Sequence, residues 1–558
     1  MKFVRFLLVL FVVPVIALGQ AEHVPVEHPV YDFLMRMQIR GLIPSYSSVI
    51  LPLERKEVVV YLDALERELS SFSETERALF DRYADEFLAE ARGTQKPIRL
   101  FQSDESFFAT IASSFSDREK FLYTWANADR STTFFMEFIG ALEYRTALET
   151  AGPNRNTWSN VTLGQIGGRF RGTVAGVLGY GLQSTNGTAS GNRTLALTDR
   201  VLRQNSNYGD WSKNFFDLTE AYVSGTWQWG SLALGKEKLL YGNGVGNKDL
   251  VSMNAPPFTS LRLNVHVGNF RYSFLHGWLL ADHDTSAVEY RPVYENKFIV
   301  LHRAEADLGD AVRLGVYESV IYSQRDIDPG YLIPINFYKS EEHSGGDRDN
   351  PMLGFDLQSI RLPNMQIYGS WTIDDVDFAK WGSGFWGNKF TWQAGAIHET
   401  LLPDTRIGLE YSRVEPYTFT HIFRNNEYTN KGYSIAFEIP PNSDEWFAHA
   451  KHWFGSRLVL ALTFQYRRHG LNEYAADSSL SKNNGGDINT RFVAGRDSQT
   501  ALFLAGPRET SRIGTASFRY EPWRNLVFDL TYRYRSIDSP ASGNAVDHFL
   551  SFSVDVVY

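Results

Sequence analysis

Cysteine is absent from all 558 residues. That removes disulfide scaffolds, thiolate zinc sites, a cysteine nucleophile and a lipid-modified amino-terminal cysteine. A surplus of positive charge is also missing: 55 Lys and Arg stand against 64 Asp and Glu, a net charge of −9. This excludes nucleic acid as a partner, because its phosphates call for a basic surface. Past the amino terminus no run approaches the roughly 18 apolar residues of a membrane-spanning helix. A membrane is not thereby excluded. Barrel strands put a polar side chain at every second position, so a mean hydropathy of −0.27 suits them as well as it suits a soluble protein.

What the chain has in plenty is aromatic residues, 14% with 39 Phe and 28 Tyr, the composition of girdles at two membrane interfaces. It also alternates. Leu526, Phe528, Leu530, Tyr532 and Tyr534 interleave with Asp529, Thr531, Arg533 and Arg535. Beyond a stretch of turn formers holding Pro540 and Gly543, Leu550, Phe552, Val554, Val556 and Tyr558 interleave with Ser551, Ser553 and Asp555. The period of two predicts a hairpin of spanning length, closing on an aromatic residue with no tail. The same pattern recurs at 134–145, 262–267, 389–393, 406–411 and 458–467, and through Ile166 to Gln183 as a run that glycines bend or bulge.

Alternation alone also fits a soluble sandwich. Length favours the barrel, since 558 residues exceed one ordinary soluble core and a single large barrel is the main exception. Charge then sets the phase. An Arg at the lipid midplane costs about 2 to 4 kcal/mol, so Arg169, Arg171 and Arg533 are predicted to face the lumen, which is then a water-filled channel or a packed, salt-bridged interior. The turn at Glu521 to Asn525 is short, whereas 469–511 and the loop around Pro540 are longer and polar, the asymmetry of periplasmic turns and outer loops. The expectation is a mainly β protein: a large antiparallel transmembrane β-barrel of about 16–18 strands over 97–558, preceded by a small periplasmic helical bundle.

That bundle is read from a change of period. Lys2 and Arg5 precede an apolar stretch from Phe6 to Leu18, with Ala17 and Gly19 at a signal-peptidase site; residues 1–19 are a secretory signal and Gln20 the mature start. Within 20–96, Tyr31, Leu34, Met35 and Gln38 run to a stop at Gly41, and Val58, Tyr61, Leu62, Leu65 and Leu69 follow helical spacing. Ser73 and Glu76 form a capping box before Leu79, Tyr83, Phe87 and Leu88, with Gly93 at the end. Mixed charges on these helices favour solvated faces around a small core over docking against the barrel.

Motifs that carry chemistry are few. Gly382, Gly384 and Gly387 match a dinucleotide fingerprint, but no βαβ unit surrounds them and an exported chain meets little NAD. Trp381, Phe385 and Trp386 beside these glycines are candidates for stacking on sugar rings, against the plainer reading of an interface belt. Asp374 and Asp375 are candidates for glycan contact. As a glycosidase pair they are poor, because adjacent strand residues point opposite ways. Asp347, Asp349 and Asn350 lack the spacing of a calcium loop, His276, His398 and His421 lack metal spacing, and no Gly-x-Ser-x-Gly elbow occurs. The reading is no enzyme, no cofactor and no metal.

Several irregular patches, in order, resemble one known family. They are Gly41-Leu42-Ile43-Pro44 with Pro52-Leu53; Glu318-Ser319-Val320-Ile321-Tyr322; Tyr331 through Phe337; Asp349-Asn350 with Gly354 and Asp356; Asp374-Asp375; Glu410-Tyr411 with Val414 through Thr418; and Pro441-Asn442-Ser443-Asp444. Together they resemble the capsule-assembly Wzi family of outer-membrane proteins. The resemblance implies an outer-membrane barrel of about eighteen strands, a periplasmic helical bundle, and a lectin-like, non-enzymatic task in binding or organising capsular or other surface polysaccharide. Its implied partners are that glycan, outer-membrane lipid and the barrel-assembly machinery. The terminal Tyr558 departs from the Phe that more often ends such barrels. The alternative function is an outer-membrane porin, for which the charged lumen would be the selectivity surface.

Overall fold

The computed structural model describes residues 19–558 apart from 152–155, 211, 282–283, 289–290, 294 and 424; the signal stretch through Leu18 lies outside the described residues. Alternation does build strands. Eighteen close into one antiparallel barrel: β1 (Thr133–Ala151), β2 (Thr157–Val174), β3 (Leu178–Gly191), β4 (Phe215–Trp227), β5 (Gly230–Lys236), β6 (Thr259–Val267), β7 (Phe270–Leu280), β8 (Asn296–Leu308), β9 (Val312–Ser323), β10 (Asn350–Leu362), β11 (Met365–Asp375), β12 (Lys389–Leu402), β13 (Thr405–Val414), β14 (Ser443–Trp453), β15 (Leu458–Gly470), β16 (Arg508–Trp523), β17 (Leu526–Asp538) and β18 (Ala545–Val557). A short strand, Tyr123–Ala126, extends the wall beside the start of β1. The seam is β18 against β1, from Val546↔Ala151 to Val557↔Ile139. Tyr558 finishes it: its N–H donates to the Phe138 carbonyl at 2.9 Å and its carbonyl accepts from the Phe138 N–H at 2.5 Å.

Register shows which face meets which solvent. Phe518, Leu530, Phe552 and Tyr144 pair in a row across β16, β17, β18 and β1, all open on the outer wall. One residue along, Ser517, Thr531, Ser551 and Arg145 make the inward row. The run Ile166 to Gln183 is two strands rather than one bent strand. Ala175 and Gly176, at φ of +52° and +71°, turn the chain back, because a tight reversal needs the left-handed conformation that glycine adopts freely. Short turns at 175–177, 228–229, 268–269, 309–311, 363–364, 403–404, 454–457 and 524–525 mark one end; long loops at 192–214, 237–258, 324–349, 376–388, 415–442 and 471–507 mark the other.

The helices are α1 (Val30–Ile39), α2 (Arg55–Leu65) and α3 (Glu74–Tyr83), the last continuing through 84–92 to Gly93 at φ +70°. The Ser73 hydroxyl accepts from the Glu76 N–H at 3.1 Å and the Glu76 carboxylate from the Ser73 N–H at 2.9 Å, so both orphan donors are met. Solvated faces are not what the charges make. Arg36, Glu76 and Glu90 are buried, and the module sits in the short-turn mouth. Asp404 of the 403–404 turn accepts from Ser73 at 2.8 Å, Thr75 at 2.7 Å and Arg36 at 3.2 Å. Around the rim, Arg82 pairs with Glu521, Arg524 with Asp85, and Arg171 with Glu22 and Glu90. The mixed charge is interdigitated with the barrel's own. Between module and barrel the chain is not all β: Phe107–Ser113 is a helix, α4, with the Ser106 hydroxyl accepting from the Ala109 N–H.

Candidate functional site: a half-filled lumen

Loop 237–258 enters the barrel instead of standing above it. Its run Gly242-Asn243-Gly244-Val245-Gly246-Asn247 crosses to β13, where the Glu410 carboxylate accepts three successive backbone N–H groups, from Val245 at 2.7 Å, Gly246 at 3.3 Å and Asn247 at 3.0 Å. Tyr368 donates to the same carboxylate at 2.6 Å. Three convergent N–H groups form a nest of the kind that receives an anion, and the carboxylate seated in it is 1% exposed. Gly242 and Gly244 are at φ of +106° and +95°, and a side chain at either would strike Asp249 or Asn247. Asn247 also donates to Glu445 at 3.0 Å, and Asn243 to Asp356 at 3.1 Å.

Loop 415–442 comes in over this crossing. The Ser252 N–H donates to the Ile435 carbonyl at 2.7 Å and its hydroxyl to the Ala436 carbonyl at 2.6 Å. Between the loops and the inner faces of β7, β8 and β9 lies an apolar core that includes Tyr241, Leu250, Leu275, Ile299, Ile321 and Phe437. The helical module meets the crossing loop from below, where Ile50 and Leu51 pair with Tyr241 and Leu240. On this side the crossing loops close the lumen toward the long-loop end, while a second cavity of about 620 Å³ remains beneath them between the module and the wall, bordered by Glu54, Arg262, Arg271 and Arg303.

The opposite side is open inside. A cavity of about 670 Å³ runs from α1 past the inward faces of β1, β2 and β14 to β18. Charged residues of both signs line it, among them Asp32, Glu143, Arg145, Lys451, Arg519 and Asp529. Arg145 pairs with Glu143 and with Asp199 of loop 192–214, each at 2.6 Å. At the floor, burial pushes the Asp32 carboxyl up, but Lys451 and Arg406 outweigh it and hold it well below the usual carboxylate range.

The residues singled out from sequence are scattered through this arrangement. Arg171 points inward onto Glu22 and Glu90. Arg169 shares its face and pairs with Glu137. Arg533 follows Asp529 and Thr531 of the cavity wall, with its guanidinium 4.8 Å over the Phe549 ring. Asp374 is buried and inward, accepting from Lys389 at 3.2 Å and from the Phe419 N–H at 2.5 Å. Asp375 is exposed and turns to its own neighbour, Val376.

The three loop aromatics do not form one platform. Trp381 lies 5.2 Å from Phe390, which faces outward beside the stacked Trp371 and Trp392, so Trp381 extends the outer aromatic belt. Trp386 lies flat on Phe492, 3.7 Å between centroids, and ties loops 376–388, 415–442 and 471–507 together. Phe385 lies under the Lys380 ammonium at 3.8 Å. Among the described residues, one group brings three metal-ligand atoms together, Glu342, His343 and Asp347; Lys339 already holds Glu342 at 2.7 Å. Sequence reading missed the crossing loop and its nest. The only local signal was the Gly/Asn run 242–247.

An antiparallel barrel with an apolar outer wall, a charged interior and a helical module in one mouth is a transmembrane barrel of the outer-membrane class. The family model for capsule assembly protein Wzi matches residues 113–548, and the chain belongs to that family. Among solved structures, Wzi of Escherichia coli, an outer-membrane protein involved in group 1 capsule assembly and a carbohydrate-binding β-barrel, aligns over 96% of this chain and 99% of its own, with TM-score 0.57 at 12% identity. OccK5 (OpdH) of Pseudomonas aeruginosa covers 76% of this chain and 98% of its own, with TM-score 0.43 at 10% identity. OpdK of Pseudomonas aeruginosa, solved with vanillate, covers 76% and 99%, with TM-score 0.44 at 9% identity. No curated protein matches the sequence.

Proposed function

We propose that this protein holds or organises capsular polysaccharide at the cell surface, by non-covalent contact through its long-loop face and without catalysis. The observation that carries the reading is the obstructed lumen. The module plugs the short-turn mouth, and loops 237–258 and 415–442 close half of the interior with buried hydrogen bonds, an arrangement suited to presenting a surface and ill suited to solute flow. The absence of a chemical task is supported by Asp374 and Asp375, which face opposite sides of the wall. Trp386 and Phe385, set where three outer loops meet, remain the aromatic candidates for glycan contact. The helical module is placed in the periplasm on this reading.

The charged cavity favours a second reading, a solute channel. Conductance of the purified protein in a planar bilayer, beside capsule staining of a deletion strain, separates the two. A silent barrel with capsule lost from the cell surface is the expected result. Steady conductance with capsule intact would replace attachment by transport.

A further inference from the structure

One long loop turns down the outside of the barrel. Glu318, Val320 and Tyr322 belong to the outward face of β9, whose earlier members Leu314 and Val316 are open on the wall, while Arg313, Tyr317 and Ser319 point in. Loop 324–349 lies over these upper positions and over the matching faces of β7 and β8. Its Tyr338 and Lys339 N–H groups donate to the Glu318 carboxylate at 2.8 and 2.7 Å. His302 of β8 flanks that carboxylate at 3.3 Å and stacks on the Tyr338 ring at 4.4 Å. The Pro334 carbonyl accepts from Tyr272, close to the 268–269 turn, and lies 3.0 Å from His302 Nδ1. Phe274, Phe298, Val300, Val320, Tyr331 and Tyr338 make an apolar core between loop and wall. Arg325, held by Asp349 at 2.7 and 2.6 Å, pins the base.

The loop's outer surface is inverted relative to one made for water. Leu332, Ile333, Ile335 and Phe337 are 41, 50, 86 and 58% exposed, and no charged residue interrupts 332–337. Polar groups turn inward instead. The Ile333 N–H donates to Gly330 and the Asn336 N–H to Ile333, and the Asn336 amide donates to Gly330 and Glu341. Irregular backbone at membrane depth has to find its partners within protein, and the Ile333 and Asn336 N–H groups and the Pro334 carbonyl do so while the side chains offer hydrocarbon outward. Its crest is continuous with the apolar wall at Leu314 and Val316.

We propose that loop 324–349 is a membrane-embedded flap, seated on β7 to β9, with Leu332, Ile333, Ile335 and Phe337 lying among the acyl chains of the membrane. The proposal rests on the outer-membrane placement of the barrel and is independent of the polysaccharide reading. Glu318 is then the clasp: a carboxylate on a lipid-facing wall that the flap's two N–H groups keep paired.

The cysteine-free chain allows a clean test. Bimane attached at Ile335→Cys is read in vesicles of phosphatidylcholine brominated on the acyl chains, and separately with aqueous iodide. Leu462→Cys on the outer wall of β15 is the lipid reference and Tyr474→Cys in loop 471–507 the water reference. The Ile335 label is expected to lose fluorescence to the brominated chains as the Leu462 label does and to resist iodide. Quenching by iodide alone would put the crest in water and overturn the proposal. Protection from both quenchers would mean a protein covers it, which overturns it equally, and a disulfide between two Ile335→Cys chains would identify a second copy as the cover. Glu318→Ala is expected to move the Ile335 label from lipid to iodide accessibility with the barrel still heat-modifiable. A Leu462 label indifferent to brominated lipid would instead count against the membrane placement of the barrel itself.

Discussion

Arg303 and Arg519 both face the lumen and both hold an aspartate, yet their surroundings differ. Arg303 is fully buried, paired with Asp356 and with Glu305 at 3.2 Å. It reaches β10 from β8 across Gly315, where any side chain would occupy the guanidinium's path. Arg519 pairs with Asp529 directly opposite it at 2.9 Å and stays half open to the cavity. The first pair is locked by the crossing loop, whose Asn243 also donates to Asp356, although Arg303 borders the module-side cavity. The second lines a vestibule. Water decides how much each pair matters, since a dry pair cannot lose one member without stranding the other, whereas a wet pair can.

The largest expected effect is therefore on the closed side. Asp356→Ala leaves Arg303 buried with only Glu305 as its carboxylate partner and removes the acceptor of the Asn243 amide, and is expected to cost about 3 to 5 kcal/mol, read as the urea midpoint of the protein refolded in lipid vesicles. A loss below about 1 kcal/mol, the range of exposed pairs, would mean that water reaches the Arg303 guanidinium. The open half's wall is probed next. Leu530→Arg puts a charge on its lipid face and is expected to cost about 2 to 4 kcal/mol, while Arg533→Gln on the adjoining inward face should be far milder. Equal tolerance of both in a heat-modifiability assay would contradict the phase of the strand.

Both faces of that strand could be read from sequence because a period of two is a local signal, and so could the Ser73 capping box, which needs only four residues. The eighteen strands fall within the range the chain length allowed. What fills the barrel was not legible. The nest on Glu410 joins residues far apart in the chain, and the Gly/Asn run that makes it has no distinctive period. The irregular patches that carried the family resemblance acquire a physical role only in three dimensions: Glu318, Asp349, Asp356 and Glu410 each clamp a loop by accepting backbone N–H, amide or guanidinium donors. Trp381 shows the same limit. Its neighbours in sequence are loop glycines, and only the Phe390 ring beneath it reveals that it faces the outer wall.

Acid sharpens the boundary between module and cavity. Because the Asp32 carboxyl is held below its unfolded value by Lys451 and Arg406, its contribution to docking is complete above a pH of about 4 and is lost as pH falls further, when the folded carboxyl at last takes up its proton. Protease resistance of the module should thus hold from neutral pH down to about 4 and decline beneath it, and Asp32→Asn should lower it at neutral pH while flattening the decline. Release already at pH 6, or a decline unchanged in Asp32→Asn, would assign the contact elsewhere.

The smallest effect is the most diagnostic. Arg519→Ala removes the cavity-side counterpart of the Arg303 pair, and with water on one flank the expected loss is under about 1 kcal/mol. Asp529 would hydrate from the cavity, so the urea midpoint should hardly move, and raising the salt concentration should erase what difference there is. The chemistry of the pair is the same as on the closed side, so a penalty approaching that of Asp356→Ala could come only from a dry surrounding. In that case the cavity would be closed to water, and the channel reading would lose the one observation that favours it.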